Sequence, residues 1–400
     1  MLTSFRGARA ASAALAALLL ICGSSAAHSQ TTLPQKILLP GDDGQGRGGF
    51  GESVSILGGR ALVGSPFLTG YVYVYEQSGG SWPLKQRLIT PKWDPERVSG
   101  TGWVLAQDDN TFLSSDTEYG IVAYFEKPTA SSTYRSTALL NGSGNGGGFG
   151  TSLGLSGCFG MIGATSPASF PNPRGAVHLY NRCPSGTWTW VGSLYPPSGS
   201  TSDQFGFALA LFGTELLVGA PNDSGGAGVV YDYLYNGTKW VYKQKIVQTH
   251  AAAGNRFGAG VAFRDGLAVI GSPGRPDAGQ AELFKRSSTG KWSSLGDLVP
   301  PTADGTWTGF GSKISVTPDR VLVGTTTDID FNGSLFVYKR TGDTLQLQLQ
   351  LKANDNTTNT GFATDFSVAG RSLIVGEPRG VALQNTTERG GRAIIYQLPP

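Results

Sequence analysis

An all-β fold built from repeated four-stranded units is predicted by three features of the sequence. First, short runs of β-branched and aromatic residues alternate with Gly, Pro, Asn and Asp, as in antiparallel strands joined by turns. Second, glycine accounts for 59 of 400 residues and charged residues for only 15%, which favours strands and turns over exposed helices. The third feature is an internal repeat.

The clearest unit spans residues 205–247. It contains four candidate strands, at 205–211, 216–221, 228–233 and 240–247. One antiparallel meander of this size cannot bury both of its faces alone, so the units must pack against one another.

The repeat is marked by an opening pair and by a tag at the end of the second strand. The openings are Phe50-Gly51, Phe149-Gly150, Phe205-Gly206, Phe257-Gly258, Phe310-Gly311 and Phe362-Ala363. The tags resemble Gly-Ala-Pro, as in 219–221, 271–273 and 376–378. The last four openings follow at intervals of roughly 52–56 residues, and the first interval is two periods long. We therefore place a seventh unit at 100–140, without the Phe-Gly opening.

The two ends of the array predict a closed ring. The last unit lacks a fourth strand, and the segment from Gln35 to Leu39 matches the fourth strands that begin at Gln86 and Gln244. Pairing this segment with the last unit removes both sheet edges. The prediction is a seven-bladed β-propeller over residues 33–400, with units near 50–90, 100–140, 149–196, 205–249, 257–299, 310–351 and 362–398, closed by strand 33–39.

The paired motifs resemble the FG-GAP repeat of integrin α subunits and of many secreted proteins. The resemblance covers six of the seven units, and it implies an extracellular propeller that acts in binding or cell adhesion. Some integrin repeats also carry a calcium loop between their first two strands. The corresponding segments here are tight turns, such as 212–215 and 264–267. We therefore do not expect the integrin-type calcium site in this chain.

Residues 1–27 read as a cleavable secretory signal. Arg6 and Arg9 precede a short apolar run that ends in small residues, and the run is shorter than the roughly 20 apolar residues needed to span a bilayer. We therefore expect a secreted protein without a membrane span. The formal net charge of +3 and the lack of a basic cluster argue against nucleic-acid binding, and we expect a monomer whose partner is an extracellular protein or carbohydrate.

One segment has the oxygen donors of a calcium loop. Asp328, Asp330 and Asn332 alternate before Gly333. The ninth and twelfth positions are Val337 and Lys339, which supply no acidic ligand. A plain Asp/Asn turn is the favoured interpretation, and we expect no obligatory cofactor.

Two kinds of modification are predicted. Cys158 and Cys183 lie at neighbouring ends of two strands in the third unit, a geometry that suits a disulfide. Six Asn-x-Ser/Thr sequences mark turns for possible N-glycosylation, at Asn141, Asn222, Asn236, Asn332, Asn356 and Asn385. Turns favour these residue types anyway, so the sequence leaves glycosylation open.

No enzyme motif was found, so we predict a binding module. Trp82, Trp188, Trp240 and Trp292 recur at the start of the fourth strand, which favours packing between blades over sugar stacking. The alternatives are a lectin-like propeller with sugar sites between blades, and a secreted polysaccharide hydrolase or lyase.

The binding residues are expected on the face with the longer, more variable loops. Loops held by a rigid scaffold often carry binding residues, and Trp and Arg often dominate binding energy. The candidates on this face are Trp93, Arg97, Arg174, Arg275 and Arg379.

Overall fold

The described residues of the computed structural model form seven four-stranded antiparallel sheets and one short two-stranded sheet, so the predicted seven-bladed β-propeller is confirmed. The structure describes residues 33–40, 49–67, 70–91, 100–129, 131–141, 148–165, 174–198, 202–276, 278–301, 307–325, 327–328, 333–353, 360–379 and 391–400. The predicted signal peptide, residues 1–27, lies outside these ranges. In the described part of the chain, no helix is long and apolar enough to cross a bilayer.

The strands are short and follow one another as meanders. In chain order they are β1 (Gln35–Leu38), β2 (Ser53–Leu57), β3 (Arg60–Ser65), β4 (Tyr71–Glu76), β5 (Leu84–Leu88), β6 (Leu105–Asp108), β7 (Thr111–Asp116), β8 (Ile121–Glu126), β9 (Arg135–Asn141), β10 (Phe149–Ser156), β11 (Phe159–Ala164), β12 (Ala176–Asn181), β13 (Thr189–Leu194), β14 (Ala208–Phe212), β15 (Glu215–Ala220), β16 (Val229–Tyr235), β17 (Trp240–Ile246), β18 (Val261–Arg264), β19 (Leu267–Ser272), β20 (Gln280–Arg286), β21 (Trp292–Leu298), β22 (Trp307–Thr308), β23 (Lys313–Val316), β24 (Arg320–Thr325), β25 (Thr327–Asp328), β26 (Ser334–Thr341), β27 (Thr344–Lys352), β28 (Phe366–Ala369), β29 (Ser372–Glu377) and β30 (Arg392–Gln397). A one-turn segment, α1, covers Asp223–Gly226, and its central residues Ser224 and Gly225 have left-handed rather than α-helical φ and ψ angles.

Blades 1 to 5 are β2–β5, β6–β9, β10–β13, β14–β17 and β18–β21. Blade 6 is β23, β24, β26 and β27, and blade 7 is β28, β29, β30 and β1. The first strand of each blade contacts the first strands of both neighbouring blades. The first strands therefore form the inner ring of the propeller, and the fourth strands lie outermost.

The ring is closed by β1, as the sequence predicted, but in a different register. Leu38 lies opposite Ala393 and is buried. Leu88 is the buried residue at the same place in blade 1. The sequence match placed Ile37 there, one residue away. Three consecutive apolar residues, Ile37 to Leu39, allow either alignment in the sequence, and the burial of Leu38 distinguishes between them. The fourth strands of blades 1 to 6 each also have an irregularity in their pairing with the third strand, whereas β1 pairs without one.

The opening motif fills the space between blades near the axis. All six opening phenylalanines are fully buried. The glycine that follows takes a positive φ, as at Gly206 (φ 89°), and its N–H donates to the tag glycine of its own blade, at 3.0 Å from Gly206 to Gly219. Such backbone conformations favour glycine because it lacks a Cβ.

The tag glycine, in turn, abuts the next blade. A Cβ on Gly219 would overlap the carbonyl oxygen of Gly258, the opening glycine of blade 5. The same overlap recurs at four more boundaries: Gly64 with Gly102, Gly163 with Gly206, Gly271 with Gly311, and Gly376 with Gly51. We call these five pairs the inner glycine contacts.

Blade 2 keeps this geometry with different residues. Thr101-Gly102 stands where the other blades have Phe-Gly, and Gly102 has a φ of 101°. The Gly102 N–H donates to Ser115, which occupies the tag position. The opening was not recognised in the sequence because Thr101 replaces the aromatic residue by which the motif was identified.

Candidate functional site

The two faces of the propeller differ in their connections. Connections between second and third strands, and between blades, lie on one face, which we call the loop face. Hairpins between first and second strands, and between third and fourth strands, lie on the other, which we call the turn face. The first–second turns are short, as predicted. The third–fourth connections 77–83, 127–134 and 182–188 are longer than expected, so the turn face is less regular than the sequence indicated.

Of the five predicted binding residues, three are described. Arg174, Arg275 and Arg379 each lie in or beside a connection between second and third strands, in blades 3, 5 and 7. Arg174 and Arg275 are half-buried and Arg379 is exposed. Trp93 and Arg97 lie outside the described residues.

A chain of hydrogen bonds links the loops between Arg174 and Arg275. The Phe205 N–H donates to the Arg174 carbonyl at 2.9 Å, and the Asn222 N–H to the Asp203 carbonyl at 3.2 Å. The Arg256 N–H donates to Gly226 at 3.0 Å. The Gly274 N–H, next to Arg275, donates to Asn255 at 3.1 Å. Residues 174–175, 202–206, 222–228, 254–256 and 272–276 therefore form one continuous strip over blades 3, 4 and 5, which we call the loop strip.

The backbone of the loop strip is strained. Ser202, Gln204, Ser224 and Arg256 all have positive φ, between 57° and 79°, and Ala278 beside the strip has a φ of 110°. Such conformations cost about 1–3 kcal/mol each for residues other than glycine and tend to cluster at functional sites.

A buried carboxylate holds the centre of the strip. Asp223 accepts hydrogen bonds from the Tyr231 hydroxyl at 2.5 Å and the Ser224 hydroxyl at 2.8 Å. The Lys245 ammonium lies 3.3 Å from the same carboxylate. Burial and the hydrogen bond to Asp223 raise the pKa of Tyr231, so Tyr231 remains a neutral donor and the loop stays anchored at its base.

Arg275 belongs to a polar group at the outer end of the strip. Its Nη1 lies 3.7 Å from Oδ2 of Asp297, and His250 Nδ1 lies 4.0 Å from the same oxygen. Burial, followed by the nearby carboxylate of Glu282, raises the pKa of Asp297, while Arg275 and His250 oppose the shift. The ion pair of Arg275 with Asp297 is long and partly exposed, so its contribution to stability is small.

Arg379 lies in a different polar environment, in blade 7. Burial, and in smaller part Asp365, raise the pKa of Glu52, and Arg379 partly offsets this. Asp365 in turn forms an ion pair with Lys313 at 2.6 Å and accepts the Val54 N–H at 2.9 Å. This arrangement joins the first strands of blades 6, 7 and 1 near the inner ring.

The calcium prediction falls largely outside the described residues. Asp330 and Asn332 are not described, and the backbone of Asp328 ends β25, opposite Trp307 in β22. Among the described residues, no three His, Cys, Asp or Glu side chains are grouped as metal ligands.

Three of the six predicted glycosylation asparagines are described. Asn236 is exposed in a turn, where its side-chain oxygen accepts the Thr238 and Lys239 N–H groups. Asn222 is half-buried in the loop strip. Asn141 is the last residue of β9, whereas the prediction placed it in a turn. Asn332, Asn356 and Asn385 lie outside the described ranges.

The recurrent tryptophans pack between blades. Trp188 of blade 3 lies 5.3 Å from the ring of Tyr124 in blade 2, and Trp240 of blade 4 lies 5.3 Å from Phe159 in blade 3. Trp292 of blade 5 donates its indole N–H to Asp232 of blade 4 at 3.1 Å. These contacts agree with the packing role that their repetition indicated.

The turn face carries a groove that the sequence did not reveal. Cys158 and Cys183 form a disulfide with a Cα–Cα distance of 5.4 Å. Beside it lies an open cavity of about 560 Å³ between blades 3 and 4. Its walls are formed by the disulfide and by Ser156, Gly157, Phe159, Asn181, Pro184, Gly213, Thr214 and Tyr235. We call it the turn-face groove.

The architecture defines the class of protein as a seven-bladed β-propeller with one loop-rich face. The family model of the FG-GAP repeat matches residues 188–233, which run from the fourth strand of blade 3 into the third strand of blade 4. The chain thus carries an FG-GAP repeat, and the resemblance found in the sequence is confirmed.

Solved structures with the same fold are distant in sequence. A chain of the mitotic checkpoint complex superimposes with a TM-score of 0.58 at 15% identity, covering 100% of this chain and 98% of that chain. The WD40 repeats of RRP9 give a TM-score of 0.56 at 13% identity, covering 91% of this chain and 97% of that chain. At such identities the likeness shows the fold alone. No curated protein matches the sequence significantly.

Proposed function

We propose that this propeller is a secreted binding module that recognises an extracellular protein or glycan through its loop face. The observation that carries the proposal is the loop strip, in which strained loops from three blades are joined by hydrogen bonds above a rigid scaffold. Loops held in this way can present side chains at fixed positions, and that lowers the entropy cost of binding.

The arginines at the two ends of the strip indicate a large partner. Arg174 and Arg275 belong to different blades with blade 4 between them. A partner that engages both must extend across the loop face, which favours a macromolecule over a small metabolite. Guanidinium groups bind carboxylates and other planar oxygen groups in pairs of hydrogen bonds, so we expect acidic or hydroxyl-rich groups on the partner.

Binding can be tested by probing immobilised arrays of extracellular-matrix proteins and glycans with the purified protein. For a partner found in this way, we expect Arg174→Ala and Arg275→Ala together to weaken binding at least about tenfold, as for central interface arginines. Arg135→Ala is the control, because Arg135 is an arginine in a long, partly exposed ion pair like Arg275, with Glu126 at 3.5 Å, but lies at the start of β9 on the turn face. It should change affinity less than twofold, with melting temperatures unaltered in both variants. Equal losses from both variants would argue against the loop strip, and Arg379→Ala then tests whether the site lies in blade 7.

Secretion has its own test. The full chain expressed in a secreting host should appear in the medium with an N-terminus close to residue 28, if residues 1–27 act as a signal peptide. Retention of the full-length chain inside the cell would contradict this part of the proposal.

A further inference from the structure

The turn-face groove lies where one member of a repeated set of contacts differs. In every blade, one residue at the end of the third strand donates its backbone N–H to a carbonyl in the turn between the first and second strands of the same blade. In chain order, the residues at this position are Gln77, Lys127, Arg182, Tyr235, Arg286, Arg340 and Leu398. We call them the outer belt.

Four members of the outer belt are cations that contact the preceding blade. Lys127 forms an ion pair with Glu76 at 2.6 Å, and Arg286 forms one with Glu215. Arg182 donates to the Tyr124 hydroxyl, and Arg340 donates to the Arg264 carbonyl at 3.2 Å. A long charged side chain thus crosses each of these four boundaries on the turn face.

The boundary between blades 3 and 4 has an aromatic residue instead. The ring of Tyr235 lies 4.8 Å from that of Phe159 in blade 3, and Trp240 lies behind Phe159 at 5.3 Å. The aromatic contact leaves the outer part of this boundary open, and the groove occupies that space.

The lining of the groove combines apolar surfaces with neutral polar groups. The rings of Phe159 and Tyr235, the disulfide and Pro184 form most of the walls, which are mainly apolar. The polar side chains in the lining are those of Ser156, Asn181 and Thr214, and the Asn181 Oδ1 already accepts the Cys183 N–H at 2.8 Å. Among the described residues, no carboxylate, ammonium or guanidinium lines the groove. Arg182 lies next in sequence to the lining residues Asn181 and Cys183, but its guanidinium is already engaged: its Nε donates to the Gly157 carbonyl at 2.9 Å, and it lies over the rings of Tyr124 and Trp188.

We propose that the turn-face groove binds a neutral sugar ring. A pyranose has an apolar C–H face that packs on aromatic rings and a rim of uncharged hydroxyls that pair with hydroxyl and amide groups. The volume of about 560 Å³ lies within the range of small-molecule sites, roughly 300–1,000 Å³. An anionic sugar would lose water without gaining a charged partner. The site is separate from the loop strip and does not depend on the function proposed for it.

The test uses variants of the full chain and a panel of methyl glycosides. The probes are the methyl glycosides of glucose, galactose, mannose and fucose, with methyl glucuronide as the charged counterpart, and binding is followed by saturation-transfer NMR and titration. Thr214→Arg places a bulky cation at the groove from an exposed turn and leaves the aromatic contact intact. Asn110→Arg is the matched control, because Asn110 occupies the same turn position in blade 2 and is also exposed.

We expect at least one neutral glycoside to bind with a dissociation constant on the order of 1 mM. Thr214→Arg should weaken that binding at least tenfold, Asn110→Arg should change it less than twofold, and the glucuronide should bind more weakly than the neutral glycosides. The proposal is overturned if no neutral glycoside binds the wild-type protein, or if both arginine variants behave alike.

Discussion

The inner glycine contacts and the outer belt occupy the same blade boundaries, yet they differ in how far their residues can vary. Near the axis, five boundaries bring a tag glycine against the carbonyl of an opening glycine, with no space for a Cβ. At the periphery, the outer belt includes Gln, Lys, Arg, Tyr and Leu. Blades diverge as they run outward, so side chains of different size fit there. The narrow inner boundary imposes the motif, and the wider outer boundary allows a site such as the turn-face groove.

Removing the closing strand should have the largest effect on this arrangement. Deletion of residues 33–39 takes β1 away from β30 and uncovers apolar residues such as Ile394. We expect aggregation and a fall of about 10 °C or more in melting temperature, because an unpaired apolar edge strand is exposed. Light scattering and calorimetry measure the two effects. A truncated chain that remains monodisperse with the wild-type melting temperature would show that closure by β1 is dispensable.

Adding a single methyl group at an inner glycine contact should have the second-largest effect on stability. Gly219→Ala puts a Cβ against the Gly258 carbonyl, and we expect a loss of roughly 3 kcal/mol in unfolding free energy, because rigid backbone must move. Ser115→Ala is the control, since Ser115 already has a Cβ at the equivalent position. That variant should lose about 1 kcal/mol with the hydrogen bond from the Val104 N–H. Urea denaturation compares them, and equal losses would mean that the inner contact imposes no special constraint.

Removing one side-chain contact of the outer belt should reduce the unfolding free energy by less. Arg286→Ala removes the ion pair with Glu215 and the contact of the guanidinium with the Trp292 ring. We expect a loss of about 1 kcal/mol, since both partners are partly exposed. The exposed Arg135→Ala should stay within about 0.5 kcal/mol of the wild type. A loss from Arg286→Ala as large as that from Gly219→Ala would contradict the distinction between inner and outer boundaries.

The smallest expected effect depends on pH and concerns a buried carboxylate beside the outer belt. Asp232 accepts hydrogen bonds from Gln244 at 3.0 Å and from Trp292 at 3.1 Å, and burial raises its pKa above the ordinary 3.8. The folded protein therefore binds this proton more tightly than the unfolded chain. The stabilisation from Asp232 is fully present below pH 3.8 and is lost as the pH rises through the raised pKa.

Asp232→Asn keeps a hydrogen-bond acceptor but cannot ionise. We expect its stability relative to the wild type to increase as the pH rises above about 4, and then to level off once Asp232 is ionised. Urea denaturation at a series of pH values gives the two curves. Parallel curves over that range would mean that burial does not shift this carboxyl group.

Much of the fold could be predicted because the inner boundary constrains the sequence so strongly. The Phe-Gly pairs and Gly-rich tags recur at most blade boundaries, where the close backbone approach favours them, so their spacing reveals the number of blades. The same logic failed in blade 2, where Thr101 and Ser115 depart from the motif while the backbone is preserved. It also failed for the register of β1, because the three consecutive apolar residues Ile37 to Leu39 fit either alignment with the other fourth strands.

The candidate sites were predicted less completely than the fold. Hydrogen bonds between loops far apart in the chain join Arg174 to Arg275, and they involve backbone atoms that every residue has. The turn-face groove arises from Tyr235 meeting Phe159 of the preceding blade, a pair separated by more than one repeat. One signal was present, however: Tyr235 stands at a position where four other blades have Lys or Arg.

The sequence by itself determined the class, the number of blades and the order in which they close, since each follows from a local pattern repeated along the chain. The tertiary structure alone decided which loops join into a strip, which boundary stays open and which register β1 adopts. These depend on distances between residues remote in the chain. Side-chain patterns predict whether a residue is buried, but they do not identify the residue, remote in the chain, that packs against it.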